Sequence, residues 1–431
     1  MRHLFLILFL LLFVLPSTNC HRELEPRADK TTIVFQHGKS AGAKTIGEVI
    51  RRFEEQNPDI HIKEEVLPAT SDQQHQFYVT SLEGRASNFD VISLDVIWIP
   101  EFAQAGWLDD LTDRISPDEV RKFLEGPVGA DTYNGRLYAV PWYVDAGILY
   151  YRKDLLEKHG LEPPHTQEEL VASARKVLDA EGDPGLYGFI WQGKQYEGLV
   201  CVALEFIRGN GGRVLDTEGR CRLADPRVEY ALSFMRDLIS VNGVSPNLVT
   251  TADEESTRHT FGRGRALYMR NWPYAWNLFQ EEGSKVKGLI GVVAMPPFSG
   301  HSSVGTLGGW QLGINKYSRN KDASWRFVEF MTSYESQKSL ARGAGFKPSR
   351  KAVYSDPDLV REQPFITELY PIIANARPRP VTPFYPMIAQ VLQSEFSVII
   401  NGIDEPGRAL ARAEKEMDYI LELARFWKRR S

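Results

Sequence analysis

Cysteine is scarce in this chain. Three thiols in 431 residues, Cys20, Cys201 and Cys221, make neither a zinc cluster nor a disulfide-built scaffold. The nine histidines are scattered without metal-ligand spacing, so no metal and no other cofactor is expected. Positive charge is not in excess: 51 Lys plus Arg stand against 56 Asp plus Glu, a net charge of -5. A general nucleic-acid binder would show a basic face, so that class is excluded. Low-complexity tracts and internal repeats are missing. There is no P-loop, because Ile33 stands where the glycine before Gly38-Lys39-Ser40 is required.

Long apolar runs are missing too, apart from residues 4–15 behind Arg2 and His3. That run is too short to span a bilayer and has the length of a signal-peptide core. Residues 1–19 therefore read as a signal peptide, and the polar residues 20–30 as a tether. Cys20 resembles the lipid-modified cysteine of a bacterial lipoprotein, although Ser17 and Asn19 stand where Leu and a small residue are usual. The expectation is an exported protein, in the periplasm or on the outer face of the cytoplasmic membrane, anchored by lipid. In an oxidising compartment Cys201 and Cys221 form an even pair, so a disulfide between them is expected, with two unpaired thiols as the alternative.

What is present is ordinary globular sequence long enough for two lobes. Residues 31–35 read as a strand, 44–56 as a helix with Ile46, Val49, Ile50 and Phe53 on one face, and 60–63 and 89–94 as further strands. This alternation predicts an α/β domain with a largely parallel sheet. Thr166 and Glu169 form an expected capping box, and Asp225-Pro226 opens another helix. Residues 287–293 and 309–314 return to strand-like patterns, and a charged helix runs from about Pro406.

Several stretches carry possible chemistry. Gly38-Lys39-Ser40-Ala41-Gly42 fits a nucleophile elbow, but reads more simply as a flexible strand-to-helix turn. Asp95 ends a strand, where an open α/β sheet places ligand-facing groups, or else it caps the following helix. Asp145 sits among apolar residues, for a ligand or for a local ion pair with Arg152 or Lys153. Arg379 is flanked by Pro378 and Pro380, which stiffen the backbone that aims it. Trp310 follows Gly308 and Gly309, where backbone can approach a ligand closely. In RNWPYAWN, Trp272, Tyr274 and Trp276 crowd around Pro273 with neither helical nor sustained strand periodicity. They are a stacking surface or the packing of a loop.

Taken in order, SLDVIWIPEFAQAGWLDDL, LYAVPWYVDAGILYYRKDLLEKHG, GFIWQGKQYEGLVC, RNWPYAW, TLGGWQLGINKYS and PRPVTPFYP resemble one family. The chain is similar to the extracellular solute-binding proteins of ABC sugar importers, most of all the trehalose/maltose-binding proteins. The resemblance implies the two-lobe periplasmic-binding-protein fold of class II type, with a ligand cleft between hinged lobes. It assigns 31–150 and 313–356 to the N-terminal lobe, and 151–312 and 357–431 to the C-terminal lobe. It implies a sugar ligand, such as the disaccharides trehalose or maltose, delivered to ABC permease subunits without catalysis. By string, the ligand contacts would be Asp95, Asp145, Trp272, Tyr274, Gly309, Trp310 and Arg379, with Thr70 and Asp72 from PATSDQQ. Lys44 stands where relatives offer an acid to the sugar. The alternative is an exported glycoside hydrolase, since paired acids with aromatic subsites also describe those enzymes.

Overall fold

The computed structural model describes residues 30–40 and 42–428. The expected signal peptide, Cys20 and all but the last residue of the expected tether lie outside the described residues. The strands are β1 (Thr31–Gly38), β2 (Ile60–Leu67), β3 (Val91–Asp95), the short pair β4 (Thr132–Tyr133) and β5 (Arg136–Leu137), β6 (Ala139–Ala146) and β7 (Ile148–Arg152). There follow β8 (Tyr187–Ile190), β9 (Ala266–Asn271), β10 (Ile290–Ala294), β11 (Leu307–Ile314) and β12 (Lys347–Pro348).

Two sheets organise them. A six-stranded sheet has the order β12-β6-β11-β3-β1-β2, and a four-stranded sheet the order β10-β7-β9-β8. The first is mixed: β1 runs parallel to β2 and β3, while β11 is antiparallel to both β3 and β6. The chain leaves the first sheet at Gly147, between β6 and β7, and returns between β10 and β11. Lobe limits at 150/151 and 312/313 thus cut through β7 and β11, because the crossings come a few residues earlier.

Local signals explain the elements. Helix Ala43–Gln56 buries Ile46, Val49, Ile50 and Phe53, the expected stripe. Thr166 caps helix Gln167–Glu181 by accepting from the Glu169 amide. The Glu169 carboxylate instead accepts from the His165 amide at 2.8 Å, one residue outside the expected box. Asp225 caps helix Pro226–Ser240, whose Val228, Ala231, Leu232, Met235 and Leu238 are buried. In the stretch read as a strand-to-helix turn, Gly38 ends β1 and Gly42 precedes the first helix.

The expected disulfide is absent. Cys201 and Cys221 are both free and buried. Cys201 lies within helix Glu197–Gly209, whereas the Cys221 sulfur lies 3.9 Å from that of Met417 on the C-terminal helix. Each thiol is packed in its own surroundings, so an even count did not bring them together.

At the junction three segments run side by side. The Gly147 amide donates to the Thr306 carbonyl at 3.3 Å, the Leu307 amide to Arg377 at 2.8 Å, and the Arg377 amide to Gly305 at 2.9 Å. Beside them a fully buried ion pair, Arg270 with Glu205, closes through two guanidinium nitrogens at 2.9 and 2.5 Å. A Cβ on Gly147 would lie 1.8 Å from a Glu205 carboxylate oxygen, so only glycine fits there.

Candidate functional site

β3 is buried along its whole length and ends on Asp95. Across the sheet Asp95 pairs with Trp310, and Trp310 pairs with Tyr143 on β6. Directly opposed residues project from the same face, so an acid, an indole and a phenol stand in one row. The register slips between Trp310 and Gln311, a bulge that leaves Trp142 as the extra residue on β6. Gly309, at φ +113°, makes this possible, since a Cβ there would lie 2.4 Å from the Tyr143 carbonyl. Trp310 is half-buried and meets Trp98 edge-on at 5.6 Å.

Arg379 reaches this row from the far end of the chain. One guanidinium nitrogen donates to Asp95 at 2.8 Å and another to Glu197 at 3.0 Å, while Nε has no partner. Tyr385 also donates to Glu197, at 2.5 Å. Asp95 further accepts from the Ser71 hydroxyl at 2.9 Å and the Ile97 amide at 3.3 Å, so it serves the local turn as well as the arginine. The stiff Pro-Arg-Pro backbone is held from outside, because Arg208 donates to the carbonyls of Arg377 at 3.0 Å and Pro378 at 2.6 Å. Burial pushes the Glu197 carboxyl up, and Arg379 and Tyr385 oppose that.

The crowded aromatics divide into two uses. β9 ends at Asn271, and Trp272 and Tyr274 follow, both half-buried. The Trp272 indole donates to Glu254 at 3.2 Å, and Tyr274 donates to Glu255 at 2.8 Å. The Arg270 guanidinium lies 4.0 Å from the Trp272 ring centroid, a cation against an aromatic face. Across the junction the indole edge approaches Gly308, where a Cβ would come within 3.1 Å. Trp276, by contrast, stacks on Phe365 at 4.3 Å and belongs to packing.

Asp145 lies opposite Gly308 on β6. It takes no ion pair with Arg152, whose guanidinium grips Asp154 at 2.7 and 2.5 Å. Water still touches Asp145, which is half-buried, yet the surrounding protein desolvates it enough to push its pKa up to about 7. Lys347 and Arg270 pull that value down, and Asp95 pushes it up. Lys347 is fully buried and its ammonium has no hydrogen-bond partner; its nearest aromatic face is Phe365, at 5.1 Å. Burial pushes the Lys347 pKa down to about 8, against the pull of Asp145.

Thr70 is exposed and precedes helix Ser71–Glu83 without capping it through its side chain. Asp72, in the first turn, is open to water, yet desolvation raises its pKa, with the Asp95 charge adding to the shift. The charge of Glu254, on the helix beside β9, raises it further. Of the residues expected at a ligand site, Asp95 meets Arg379 and pairs with Trp310, and Asp145 lies opposite Gly308, which the Trp272 ring approaches. Glu197, Glu254, Tyr143, Tyr385 and Lys347 were not expected there; of these, Glu197, Tyr143 and Tyr385 sit inside the stretches that carry the family resemblance, and nothing in their spacing marks them. Lys44, on the first helix, is exposed and 4.0 Å from Glu48. Among the described residues no group of three or more His, Cys, Asp or Glu is placed to hold a metal ion.

Two α/β lobes meeting at an acid- and aromatic-lined seam define a two-lobe ligand-binding protein. Residues 38–338 match the bacterial extracellular solute-binding protein family, and the chain belongs to it. A probable ABC transporter-binding protein of Deinococcus radiodurans is 37% identical over 361 residues, covering 82% of this chain and 85% of that one. The maltotriose-binding protein of Pyrococcus abyssi is 27% identical over 331 residues, 76% of this chain and 68% of its own. Among solved structures, maltose-bound T. maritima MalE3 superposes with a TM-score of 0.86 at 41% identity, covering 90% of this chain and 100% of that one.

Proposed function

We propose that the chain binds a sugar, in particular a disaccharide such as maltose or trehalose, outside the cytoplasmic membrane and delivers it to the permease of an ABC importer. The observation that supports this reading is Arg379 donating to Asp95, which pairs with the half-buried Trp310, with the Trp272 ring approaching Gly308 opposite Asp145. A sugar presents hydroxyls that donate and accept, and a flat C–H face. Carboxylates accept from the hydroxyls, a guanidinium donates in a fixed fork, and aromatic rings cover the C–H face. Thr70 and the Gly309 backbone complete the proposed contact set. The maltose held by the T. maritima protein and the name of the Pyrococcus relative support the same ligand class.

Titration calorimetry with maltose, trehalose, sucrose and a polyol tests the reading. Saturable one-site binding of a disaccharide is expected, and binding of none of them overturns it. The hydrolase alternative gains one observation, the raised pKa of Asp145, which would suit a general acid. Its second acid is already engaged, since Asp95 accepts from Arg379, Ser71 and Ile97. Incubation with maltose and trehalose is expected to release no monosaccharide. The proposed anchor is a lipid on Cys20, with the following residues to Lys30 as tether; mass spectrometry of the native protein should find Cys20 as a lipidated N-terminus, and an unmodified N-terminus elsewhere would overturn it.

A further inference from the structure

Trp272 is held from several sides. Its indole N–H donates to Glu254 at 3.2 Å, and the edge of its six-membered ring runs against Gly308, where a Cβ would come within 3.1 Å. Its carbonyl accepts from the Tyr150 hydroxyl at 2.9 Å, and its amide donates to the Asn271 side chain at 2.7 Å. One ring face lies on the Arg270 guanidinium, 4.0 Å from the centroid. None of these contacts covers the opposite face.

Arg270 is fixed more firmly than a cation under a ring requires. It is fully buried, and all three of its guanidinium nitrogens are engaged. Nε and one terminal nitrogen grip the two oxygens of Glu205 at 2.9 and 2.5 Å, and the other donates to Gln192 at 3.2 Å. Gln192 is locked in turn, since its amide nitrogen donates to Thr257 at 2.8 Å and to the Arg270 carbonyl at 2.9 Å. A fork onto a carboxylate with a third bond to an amide fixes the plane of a guanidinium as well as its position. A lysine would supply the charge without the plane. Buried pairs of this kind add little stability over apolar residues of the same volume, so orientation is the better account of one set behind a ring.

Glu205 carries the constraint to the junction between the lobes. The oxygen that meets Arg270 at 2.5 Å also accepts from the Thr306 amide at 3.2 Å. One turn earlier on the same helix the Cys201 carbonyl accepts from the Thr306 hydroxyl at 2.9 Å. On the other crossing strand, a Cβ on Gly147 would stand 2.5 Å from the Arg270 nitrogen. Both crossings therefore touch the pair, and the pair touches the ring.

We infer that Arg270, clamped by Glu205, is a positioning residue that sets the plane of the Trp272 ring relative to the junction, so that a sugar stacks on the face opposite the guanidinium. The inference rests on the sugar-binding reading above and adds to it two residues that act through the indole without touching the sugar.

The test is a cycle of variants titrated with maltose and trehalose. Arg270→Met with Glu205→Gln removes the charged pair and keeps an acceptor for the Thr306 amide. Its affinity should fall about five- to tenfold with Trp272 present but less than about twofold when Trp272→Ala is already in place, because an effect exerted through the ring disappears with the ring. Arg270→Lys keeps the buried charge without the plane, so it should also bind more weakly, and it carries the test if the double variant does not fold. Near-UV circular dichroism of the ligand-free proteins reads the ring without any sugar. The signal lost on adding Trp272→Phe should be smaller in the Arg270 variants than in the parent. Parental affinity in a folded Arg270 variant, or the same loss with and without Trp272, would overturn the inference. If the parent binds neither sugar while the Trp272 signal still depends on Arg270, the functional reading fails and the positioning of the ring stands.

Discussion

Arg379 and Asp95 are separated by 284 positions in sequence and meet at 2.8 Å. The same guanidinium holds Glu197 at 3.0 Å, so one side chain neutralises two buried acids from different elements. Arg379→Ala would leave both carboxylates without their cation. Breaking a buried pair in this way costs about 3–5 kcal/mol, so the ligand-free variant should unfold well below the parent in thermal scans. Arg379→Ala combined with Glu197→Gln should recover part of that loss but not the sugar affinity. An Arg379→Ala variant as stable as the parent would show that the pairing contributes little.

The aromatic segment should split by function. Trp272 and Trp310 are half-buried at the seam, whereas Trp276 stacks on Phe365. Trp272→Ala or Trp310→Ala should weaken sugar binding by about 1–3 kcal/mol, the range for losing a packed anchor. Trp276→Ala should instead lower the unfolding temperature and leave affinity nearly intact. Paired calorimetry reads both quantities on the same samples, and the reverse pattern would move the binding wall.

Asp145 and Lys347 give the stability an unusual pH dependence. The Asp145 pKa is raised to about 7 from an ordinary value of 3.8, so its contribution is fully present below about 4 and is lost as pH rises through 7. The Lys347 pKa is lowered to about 8 from 10.5, so its contribution is present above 10.5 and is lost as pH falls through 8. The two together place a minimum between pH 7 and 8 in their joint contribution. Asp145→Asn should remove the fall between pH 4 and 7 from a series of denaturant melts. Lys347→Met should move the Asp145 titration, followed by carboxyl NMR, upward from about 7, because the positive charge that lowers it most is gone.

Binding should also release a proton. An ionised Asp145 accepts two hydroxyls, whereas the acid form accepts fewer, so a sugar seated there favours the carboxylate. Affinity should therefore rise between pH 6 and 8. Calorimetry at pH 7 in buffers of different ionisation enthalpy should report a fraction of a proton released, and Asp145→Asn should abolish it.

Both thiols should be found free. Peptide mapping of unfolded, unreduced protein should show Cys201 and Cys221 alkylated separately, as their distinct burial sites require. A linked peptide would contradict the packing of Cys221 against Met417.

The legible parts of the fold were the local ones. The helix stripe from Ile46 to Phe53, the Asp225-Pro226 start and the strand ending at Asp95 each follow from a few adjacent residues. The antiparallel placement of β11 between β3 and β6 was not legible, because strand order depends on long-range pairing rather than on composition. The site divides the same way. Asp95, Trp310 and Arg379 announced themselves by strand ends, glycines and prolines. Glu197 and Lys347 carry no such mark, and their importance comes only from burial beside partners remote in sequence. The cysteine pair misled for the complementary reason: parity is a property of composition, and bonding needs proximity.

The three segments joined at Gly147, Thr306 and Arg377 limit how the lobes can swing. A single connecting strand would act as a ball joint, free to twist and bend. Strands hydrogen-bonded edge to edge form a ribbon instead, stiff within its own plane and compliant only across it. A rotation of one lobe against the other would have to bend this ribbon across its plane. Arg379 stands two residues beyond Arg377 on the ribbon, so the guanidinium that holds Asp95 is tied to the junction itself.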